Sequence, residues 1–305
     1  MKNKILILSF SVMALLWLAT GCSKNSTGGG SGDKVRLELN LEKGQSFNRV
    51  NKMEQEISMK MMGMANDMEQ NMDFYIKQEV LNVSDAGIAE IKVTYDRIVY
   101  NIYMSMLGTS MEFDSDKEGS DDSNPMAAAM GPLVGSSFTM MIDKTGKVTD
   151  IKGMEEILEN MEESVGGAGD MSSTFDAENM KKTMQNMMAI YPDVQVGEGD
   201  TWGAQTELSG EYPLEMEMTY EVEKVEADKV FLNVDGKISS VDGGEVAGGM
   251  GSLEMEGTQG GTLEIDRKTG MVQRADFTQD VSGEVTTMGM SSPIKIDSKI
   301  IVEPY

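Results

Sequence analysis

The sequence predicts an α+β protein that is mostly antiparallel β-sheet, built as two strand-rich repeats with a pair of amphipathic helices packed on the sheet. Three observations support this fold class. Apolar and polar residues alternate along many segments, apolar residues recur at helical spacing in two segments, and several short motifs occur twice in the same order. A chain of 305 residues, 40% of them hydrophobic, is long enough to bury a substantial core.

The alternating segments predict strands that bury one face. The two clearest runs cover residues 35–41 and 214–222, with mostly polar residues between the apolar ones. Such a pattern is typical of antiparallel sheets that have one face in water. In residues 142–148 the sequence Ile-Asp-Lys-Thr-Gly-Lys-Val predicts a hairpin in which Gly146 takes a positive φ.

Two segments carry apolar residues at the spacing of one helix face. The first, residues 154–165, is followed by two glycines, which end helices. The second, residues 177–191, follows Asp176 as an N-cap and stops before Pro192. Each helix has one apolar stripe, so we expect both to lie against a face of the sheet.

A weak internal repeat predicts that the chain contains a duplication. Three pairs of segments match in their apolar and glycine positions, namely 41–47 with 196–202, 79–88 with 221–230, and the hairpin 142–148 with 265–272. Because the matches occur in the same order, they favour duplication over the chance recurrence of hairpin sequences.

The N-terminus has the organisation of a secretory signal peptide. A basic start precedes an apolar run over residues 5–18, which is shorter than the roughly 20 residues that a membrane-spanning helix needs. The ending Leu-Ala-Thr-Gly-Cys, residues 18–22, resembles the lipobox of bacterial lipoproteins. The resemblance implies cleavage before Cys22 and membrane anchoring through acyl chains on Cys22. With Ser23 next and no acidic run after Cys22, it also implies the outer membrane of a Gram-negative cell, with the body facing the periplasm.

These patterns divide the chain into five parts. They are a lipoprotein signal peptide (1–21), the acylated cysteine with a flexible Gly/Ser tether (22–34), a first strand-rich repeat with an acidic loop at 112–124 (35–153), a helical pair (154–192) and a second strand-rich repeat (193–305). The acidic loop opens like a calcium-binding loop but has proline where the closing glutamate belongs, so we interpret it as a solvated loop. The alternative is weak Ca²⁺ association with Asp114, Asp116, Asp121 and Asp122.

The composition argues against several classes of function. The chain has 26 Lys and Arg against 51 Asp and Glu, a net charge of −25, and such an acidic surface repels phosphate backbones, so we expect no nucleic-acid partner. It has no histidine and one cysteine, which removes His- or Cys-based zinc sites and nucleophile–histidine pairs. We therefore predict no catalytic residue, no cofactor and a role that is not enzymatic.

Methionine is unusually frequent, with 30 residues, and residues 59–72 are rich in it. The spacing there resembles that of copper-handling envelope proteins, which gives Met59, Met61, Met62 and Met64 as candidate Cu(I) ligands. Methionines, however, occupy apolar positions in every predicted element, which favours a core or an adaptable cavity lining. The candidate lining residues are Met59, Met61, Met72, Phe74, Met216, Met218 and Tyr220. The first four would belong to a hairpin with its turn at residues 63–67.

After residue 21 the chain resembles an uncharacterised group of Gram-negative envelope lipoproteins that have a lipobox, a tether and duplicated strand-rich halves around an Ile-Asp-Lys…Thr-Gly hairpin. That resemblance implies no activity. A looser architectural similarity relates it to periplasmic lipoprotein and lipid carriers. The sequence thus leads to the hypothesis of an anchored, non-enzymatic protein that binds a lipid or another apolar ligand. The alternatives are a structural role with an envelope protein as partner, and Cu(I) binding.

Overall fold

The computed structural model describes residues 24–27, 34–61, 64–117, 125–164, 191–208, 214–241, 251–287 and 290–305. Of the predicted features, Cys22, Met62, most of the acidic loop and nearly all of the second helix lie outside these ranges. Strands make up 68% of the described residues, and the prediction of a mostly antiparallel sheet is confirmed. No helix among the described residues is long and apolar enough to cross a membrane.

Within the described residues, thirteen strands form one antiparallel sheet. In chain order they are β1 (Lys24–Thr27), β2 (Ser46–Met61), β3 (Met64–Val83), β4 (Ala89–Met104), β5 (Thr109–Asp114), β6 (Ser137–Ile142), β7 (Val148–Lys152), β8 (Thr201–Leu208), β9 (Leu214–Val225), β10 (Lys229–Ser240), β11 (Gly251–Asp266), β12 (Val272–Thr287) and β13 (Met290–Pro304). The helices α1 (Pro125–Met130) and α2 (Met154–Ser164) and the 3₁₀ turn Gly131–Leu133 lie between β5 and β8.

Most neighbours in the sheet are also neighbours in the chain. The order runs from β1 to β8, through β13 to β2, and ends at β6 and β7, with β5 beside β4. The pairing of β13 with β2 is an exception, and it joins the two halves of the chain. Its register runs from Ile294 opposite Met59 to Pro304 opposite Arg49. The last strand therefore closes the sheet onto the first long strand.

Each long strand turns alternate side chains to a common core, as its period of two predicts. In β4 and β9 buried positions alternate with more exposed ones along most of the strand. The buried apolar side chains form one cluster, which includes Ile57, Ile98, Leu232 and Ile265. We call this side of the sheet the core face and the opposite side the groove face.

Residues 35–41, predicted as a strand, form an extended segment without a ladder. Its only bridge is between Val35 and Val196. The predicted alternation is present all the same, because Val35, Leu37, Leu39 and Leu41 are all buried. Alternation reports which residues face the core, whereas a ladder also needs a free strand edge alongside. We call residues 35–41 the crossing segment.

The two repeated hairpin turns share one type of bond, between an aspartate carboxylate and a threonine, but the second turn is one residue longer. In the first turn, Asp143 Oδ1 accepts from the backbone N and Oγ1 of Thr145 at 2.9 and 2.6 Å. In the second, Asp266 Oδ1 accepts from the same two atoms of Thr269 at 2.7 and 2.6 Å. Gly146 has a φ of 88°, as predicted for the first turn. The shared geometry agrees with the proposed duplication, which stays a prediction.

The crossing segment contacts both of these turns. The backbone N of Leu39 donates to the carbonyl of Lys144 at 2.8 Å, and that of Asn40 donates to the carbonyl of Thr269 at 2.9 Å. One short extended stretch is therefore bonded to a turn from each half of the chain.

Helix α2 confirms the first predicted helix and buries its apolar stripe. Met154, Ile157 and Met161 are 5, 4 and 8% exposed and belong to the core cluster. The helix lies beside β6 and the 3₁₀ turn. Helix α1 was not predicted from the sequence. A pair of helices packed on the sheet stays a prediction, because residues 165–190 lie outside the described ranges.

Two predicted loops are shorter than expected. Residues 112–114 of the predicted acidic loop belong to β5, where Phe113 is buried opposite Tyr100 of β4. One apolar residue between two acids gave too little alternation to identify this strand. The turn predicted at residues 63–67 is also wrong, because β3 begins at Met64 and Met61 pairs with Met64. A two-residue connection suits a tightly twisted hairpin.

Candidate binding cavity and polar groove

The core face borders a partly open cavity of about 120 Å³. Six strands that are neighbours in the sheet, from β12 through β13, β2, β3 and β4 to β6, contribute to its wall. Because strands five places apart border the same small space, the sheet curves around it with the core face inward. The wall is largely aliphatic, and its members include Leu39, Ile76, Ile91, Ile142, Val272 and Val302.

Arg49 brings a cation to this aliphatic wall. It lies on the core-face parity of β2, opposite Ile76 of β3 and Pro304 of β13. Desolvation by burial lowers the pKa of Arg49 to about 10, so the guanidinium is still protonated at neutral pH. Its carbon Cζ lies 6.0 Å from the ring centroid of Phe47. No carboxylate of the described residues lies within ion-pair distance of it.

Gln78 adds a polar atom that has no partner. It lies on the core face of β3, and its Oε1 is buried without a hydrogen bond from any described residue. A buried acceptor left unpaired costs about 1–3 kcal/mol. Asn51, two residues after Arg49 on β2, also borders the cavity. The cavity therefore combines aliphatic walls with three polar side chains that come from two adjacent strands.

Tyr191 lies on the cavity wall beside the second hairpin turn. Its hydroxyl donates to the carbonyl of Gly270. Burial raises the pKa of Tyr191, and the positive charge of Arg49 acts in the opposite direction, so the two groups interact across the cavity. Tyr191 is thus a neutral hydrogen-bond donor whose proton is already committed to the backbone.

The chemistry that these side chains offer is binding. A protonated guanidinium holds an anion by parallel hydrogen bonds, but with a pKa of about 10 it is a poor proton donor at neutral pH. The described residues of the cavity wall include no carboxylate, serine or lysine. Its polar groups can orient a ligand, and its aliphatic groups can cover one.

The groove face of the same sheet is polar and forms a broad groove of about 1130 Å³. Two rows of paired positions cross seven strands there. The first is Asn71, Glu54, Lys299, Thr278, Gly260, Asp235 and Thr219, and the second is Glu69, Glu56, Asp297, Asp280, Thr258, Lys237 and Glu217. Acids outnumber lysines in these rows, but the described residues contain no cluster of three or more potential ligands that could hold a metal ion.

Between these two rows, the core face carries a chain of buried amides. Tyr100 Oη donates to Gln70 Oε1 at 3.1 Å, Gln70 Nε2 donates to Gln55 Oε1, and Gln55 Nε2 donates to Ser298 Oγ at 2.9 Å. Gln55, Gln70 and Ser298 are 3, 2 and 6% exposed. These bonds link β4, β3, β2 and β13 across the joint between the two halves.

The amide chain specifies how the strands pair. A slip of one residue would move each amide to the groove face and place a charged neighbour in the core. The same row continues on β12 and β11, where Gln279 Nε2 donates to Gln259 Oε1 at 2.6 Å. Register is therefore set by polar groups as well as by the apolar pattern.

The predicted lining residues lie in the packed core. Met72, Met216, Met218 and Tyr220 are 1, 4, 4 and 2% exposed, and Met59 and Phe74 are partly buried against the core. None of these six borders the cavity or the groove. The side chains of Met61, Met62 and Met64 lie outside the described part of the chain. Lining of a ligand cavity by these residues, and copper binding, stay predictions.

The sequence analysis missed Arg49, Asn51 and Gln78. Their signal is present, since they hold polar side chains at core-face positions of long strands, two residues from apolar ones. A polar residue at such a position is a better indication of a site than a methionine, because burial of a polar group needs a partner.

The fold and the cavity define a predominantly antiparallel sheet protein with a small internal site. The chain belongs to a family of unknown function, DUF6263, whose model matches residues 86–272. No curated protein matches the sequence.

Three solved structures illustrate the similarities found. A structure on lipid–protein interactions in lipovitellin has 9% identity and a TM-score of 0.48, and it aligns with 87% of this chain and 25% of its own. An outer membrane channel from Pseudomonas putida F1 has 9% identity and a TM-score of 0.24 over 88% of this chain and 97% of its own. A mutant porin of Rh. blastica has 6% identity and a TM-score of 0.21 over 86% and 100%. This chain spans about a quarter of lipovitellin, and similarities this low carry no argument about function.

Proposed function

We propose that this protein is a lipid-anchored, non-enzymatic protein of the bacterial envelope that binds an apolar ligand, or the apolar part of a ligand, in the Arg49 cavity. The observation that carries the proposal is the partly open space of about 120 Å³ with a largely aliphatic wall. Cavities lined by aliphatic side chains stay dry and accept apolar molecules of matching size. A few fixed polar groups at such a site orient the ligand.

The membrane attachment in this proposal rests on the sequence before residue 35. The lipobox supports acylation of Cys22. Residues 24–27 of the predicted tether form β1 and pair with β8, so the acyl chains would attach two residues before a strand of the sheet. Two acyl signals on one cysteine hold a protein stably at a membrane. The body would then sit near the outer membrane on its periplasmic side.

The size of the cavity restricts the ligand. Pockets for drug-sized ligands measure about 300–1,000 Å³, so this cavity is smaller. A ligand that is wholly enclosed would have about six heavy atoms, by comparison with a cavity of about 150 Å³ that holds benzene. A larger ligand would place only one end inside.

A cavity-filling variant tests the proposal. Ala275 lines the cavity from β12 and is 3% exposed. In the mature chain, residues 22–305 with Cys22→Ser, we expect saturable binding of 1-pentanol by titration calorimetry, and we expect Ala275→Leu to abolish it. Ala204→Leu is the matched control, because Ala204 is 6% exposed on β8 and borders neither cavity nor groove.

The result that contradicts the proposal is the absence of saturable pentanol binding, or equal loss in both variants. Lipid extraction of the protein purified from membranes is the second measurement. A bound lipid that Ala275→Leu removes would support the larger-ligand version.

A further inference from the structure

We propose that the ligand of the Arg49 cavity is a monocarboxylate with an aliphatic chain, whose carboxylate lies against the Arg49 guanidinium and whose chain lies against the aliphatic wall. This inference deepens the proposed function and rests on it. An aliphatic wall alone would not need polar side chains. The inference uses the polar side chains of the cavity to name the chemical class of the ligand.

The first step is the charge of Arg49. Arg49 is partly buried and shares the cavity wall with Leu39, Ile76 and Val302, and among the described residues no acid pairs with it. A cation removed from water destabilises a fold unless an anion accompanies it. We infer that a ligand supplies this anion, because no described carboxylate lines the cavity.

The second step is the geometry of the anion. Guanidinium groups bind carboxylates through two parallel N–H···O bonds. Asn51, two residues along the same strand, carries an amide that can donate to one of the two oxygens. Gln78 can rotate its amide by about 180°, which replaces the unpartnered Oε1 with the NH₂ group and makes it a second donor. Three donors on the wall of one small cavity suit one carboxylate.

The third step is the choice of a carboxylate over a phosphate or sulfate. A phosphate ester carries more oxygens and, near neutral pH, close to two negative charges, and it would need further cations or donors. Arg49 is the only cation that the described residues contribute to the cavity wall, and the remaining wall is chiefly aliphatic. A single negative charge on a small group with an attached hydrocarbon chain matches both properties.

The volume of the cavity is compatible with two kinds of monocarboxylate ligand. About 120 Å³ holds a carboxylate with roughly three or four carbons. The ligand is therefore either a short-chain acid that is wholly enclosed, or a long-chain fatty acid whose remaining chain leaves the cavity past its rim.

The test compares pentanoate with 1-pentanol, which has the same chain and no charge. With the mature chain carrying Cys22→Ser, we expect pentanoate to bind at least about tenfold more tightly than pentanol, the factor that one charge-assisted bidentate pair supplies. Arg49→Met should remove this preference. Lys52→Met is the matched control, because it deletes the same charge from the groove face of β2, three residues further along the strand. Lys52 pairs there with Glu303. The Lys52→Met variant should keep the preference.

Two further readouts separate binding from a structural role of Arg49. Without ligand, Arg49→Met should unfold at a higher urea concentration than the parent, because it removes a partly buried cation that has no acid partner among the described residues. If Arg49 were a structural group, the midpoint would fall. Pentanoate affinity should be constant from pH 6 to 9 and should fall as the pH rises past the pKa of Arg49, about 10.

The outcomes distinguish this inference from the proposed function. If pentanol and pentanoate bind equally well, the carboxylate inference is wrong and the apolar cavity stands. If neither binds, both are wrong. Competition by palmitate identifies the source, because displacement of pentanoate by palmitate assigns a long-chain acid and no displacement assigns a short-chain acid.

Discussion

The two faces of the sheet hold polar groups in opposite ways. On the groove face, charged side chains fill two rows across seven strands and remain in contact with water. On the core face, polar side chains are few, and most of them belong either to the amide chain through Gln55 or to the cavity around Arg49. Water weakens each interaction on the groove face, whereas burial strengthens every satisfied bond and penalises every unsatisfied one. Neighbouring residues of one strand should therefore differ greatly in how much stability they contribute.

The largest contrast is expected between Gln55 and Glu56, which are adjacent on β2. Gln55→Ala removes the partner of both Gln70 and Ser298 in the core and leaves a small void, so it should lower the free energy of unfolding by about 3–4 kcal/mol. Glu56→Ala should change it by less than about 0.5 kcal/mol, since it lies opposite Asp297 and Glu69 and its loss relieves repulsion. Urea unfolding of both variants measures the difference, and effects of equal size would refute the contrast.

The crossing segment packs against the hairpin turn that contains Gly270. A substitution at Gly270 tests how close this packing is. A Cβ at Gly270, where φ is 72°, would lie 2.0 Å from the carbonyl oxygen of Glu38. Gly270→Ala should therefore lower the free energy of unfolding by about 2–3 kcal/mol. Gly199→Ala is the control, because its φ is 82° but no atom lies within 4 Å of the added Cβ. It should cost only the backbone term of about 1 kcal/mol, and a similar loss in both variants would argue against close contact.

A smaller effect should appear between two aspartates on the groove-face side, Asp114 and Asp73. Arg97 donates to both carboxylate oxygens of Asp114, at 3.1 and 3.0 Å, and this lowers the pKa of Asp114. Desolvation raises the pKa of Asp73. Stability from Asp114 is therefore present above a pH of about 4 and is lost as the pH falls through its lowered pKa, whereas the contribution of Asp73 becomes more favourable as the pH falls.

Two variants test these opposite effects of pH on stability. Asp114→Asn should lower the free energy of unfolding at pH 7 by about 1 kcal/mol, with a smaller loss at pH 2. Asp73→Asn should be neutral or stabilising at pH 7. Urea unfolding at the two pH values provides the comparison, and a loss from Asp73→Asn at pH 7 as large as that from Asp114→Asn would contradict the assigned causes.

The smallest effect concerns salt. Added NaCl at about 0.5 M shortens the range of charge repulsion to a few ångströms, so it should raise the urea midpoint of the parent protein slightly. The penalty of Gln55→Ala should not change with salt, because it arises from neutral hydrogen bonds. A salt-dependent penalty would show that the amide chain is coupled to the charged rows.

The sequence pattern predicts which side chains face the core more reliably than it predicts which segments pair with each other. Alternation correctly indicated which side chains of β9 and of the crossing segment are buried, because burial follows the local period of two. It could not show that the crossing segment lacks a ladder, since its partners are carbonyls of two distant turns. The spacing of apolar residues in α2 was sufficient to predict the helix, because the apolar stripe of a helix depends only on residues within that helix.

The cavity could not be predicted from local patterns, because it depends on the curvature of six neighbouring strands. Arg49 and Gln78 are 29 residues apart, and neither belongs to a recognisable motif. The methionines attracted attention by number, yet Met72 and Met216 fill the core as ordinary apolar residues do. Polar residues at core-face positions were the more informative signal, and register had to be known before they could be recognised.

The pairing of β13 with β2 also determines when the molecule can finish folding. Gln55 and Ser298, which bond across this joint, are separated by 243 residues. Contacts of such long sequence separation form slowly, because a long loop must close first. Until β13 has been synthesised, the edge of β2 is unpaired and can associate with other chains. Chains that end before residue 290 should therefore aggregate rather than accumulate as a stable first half.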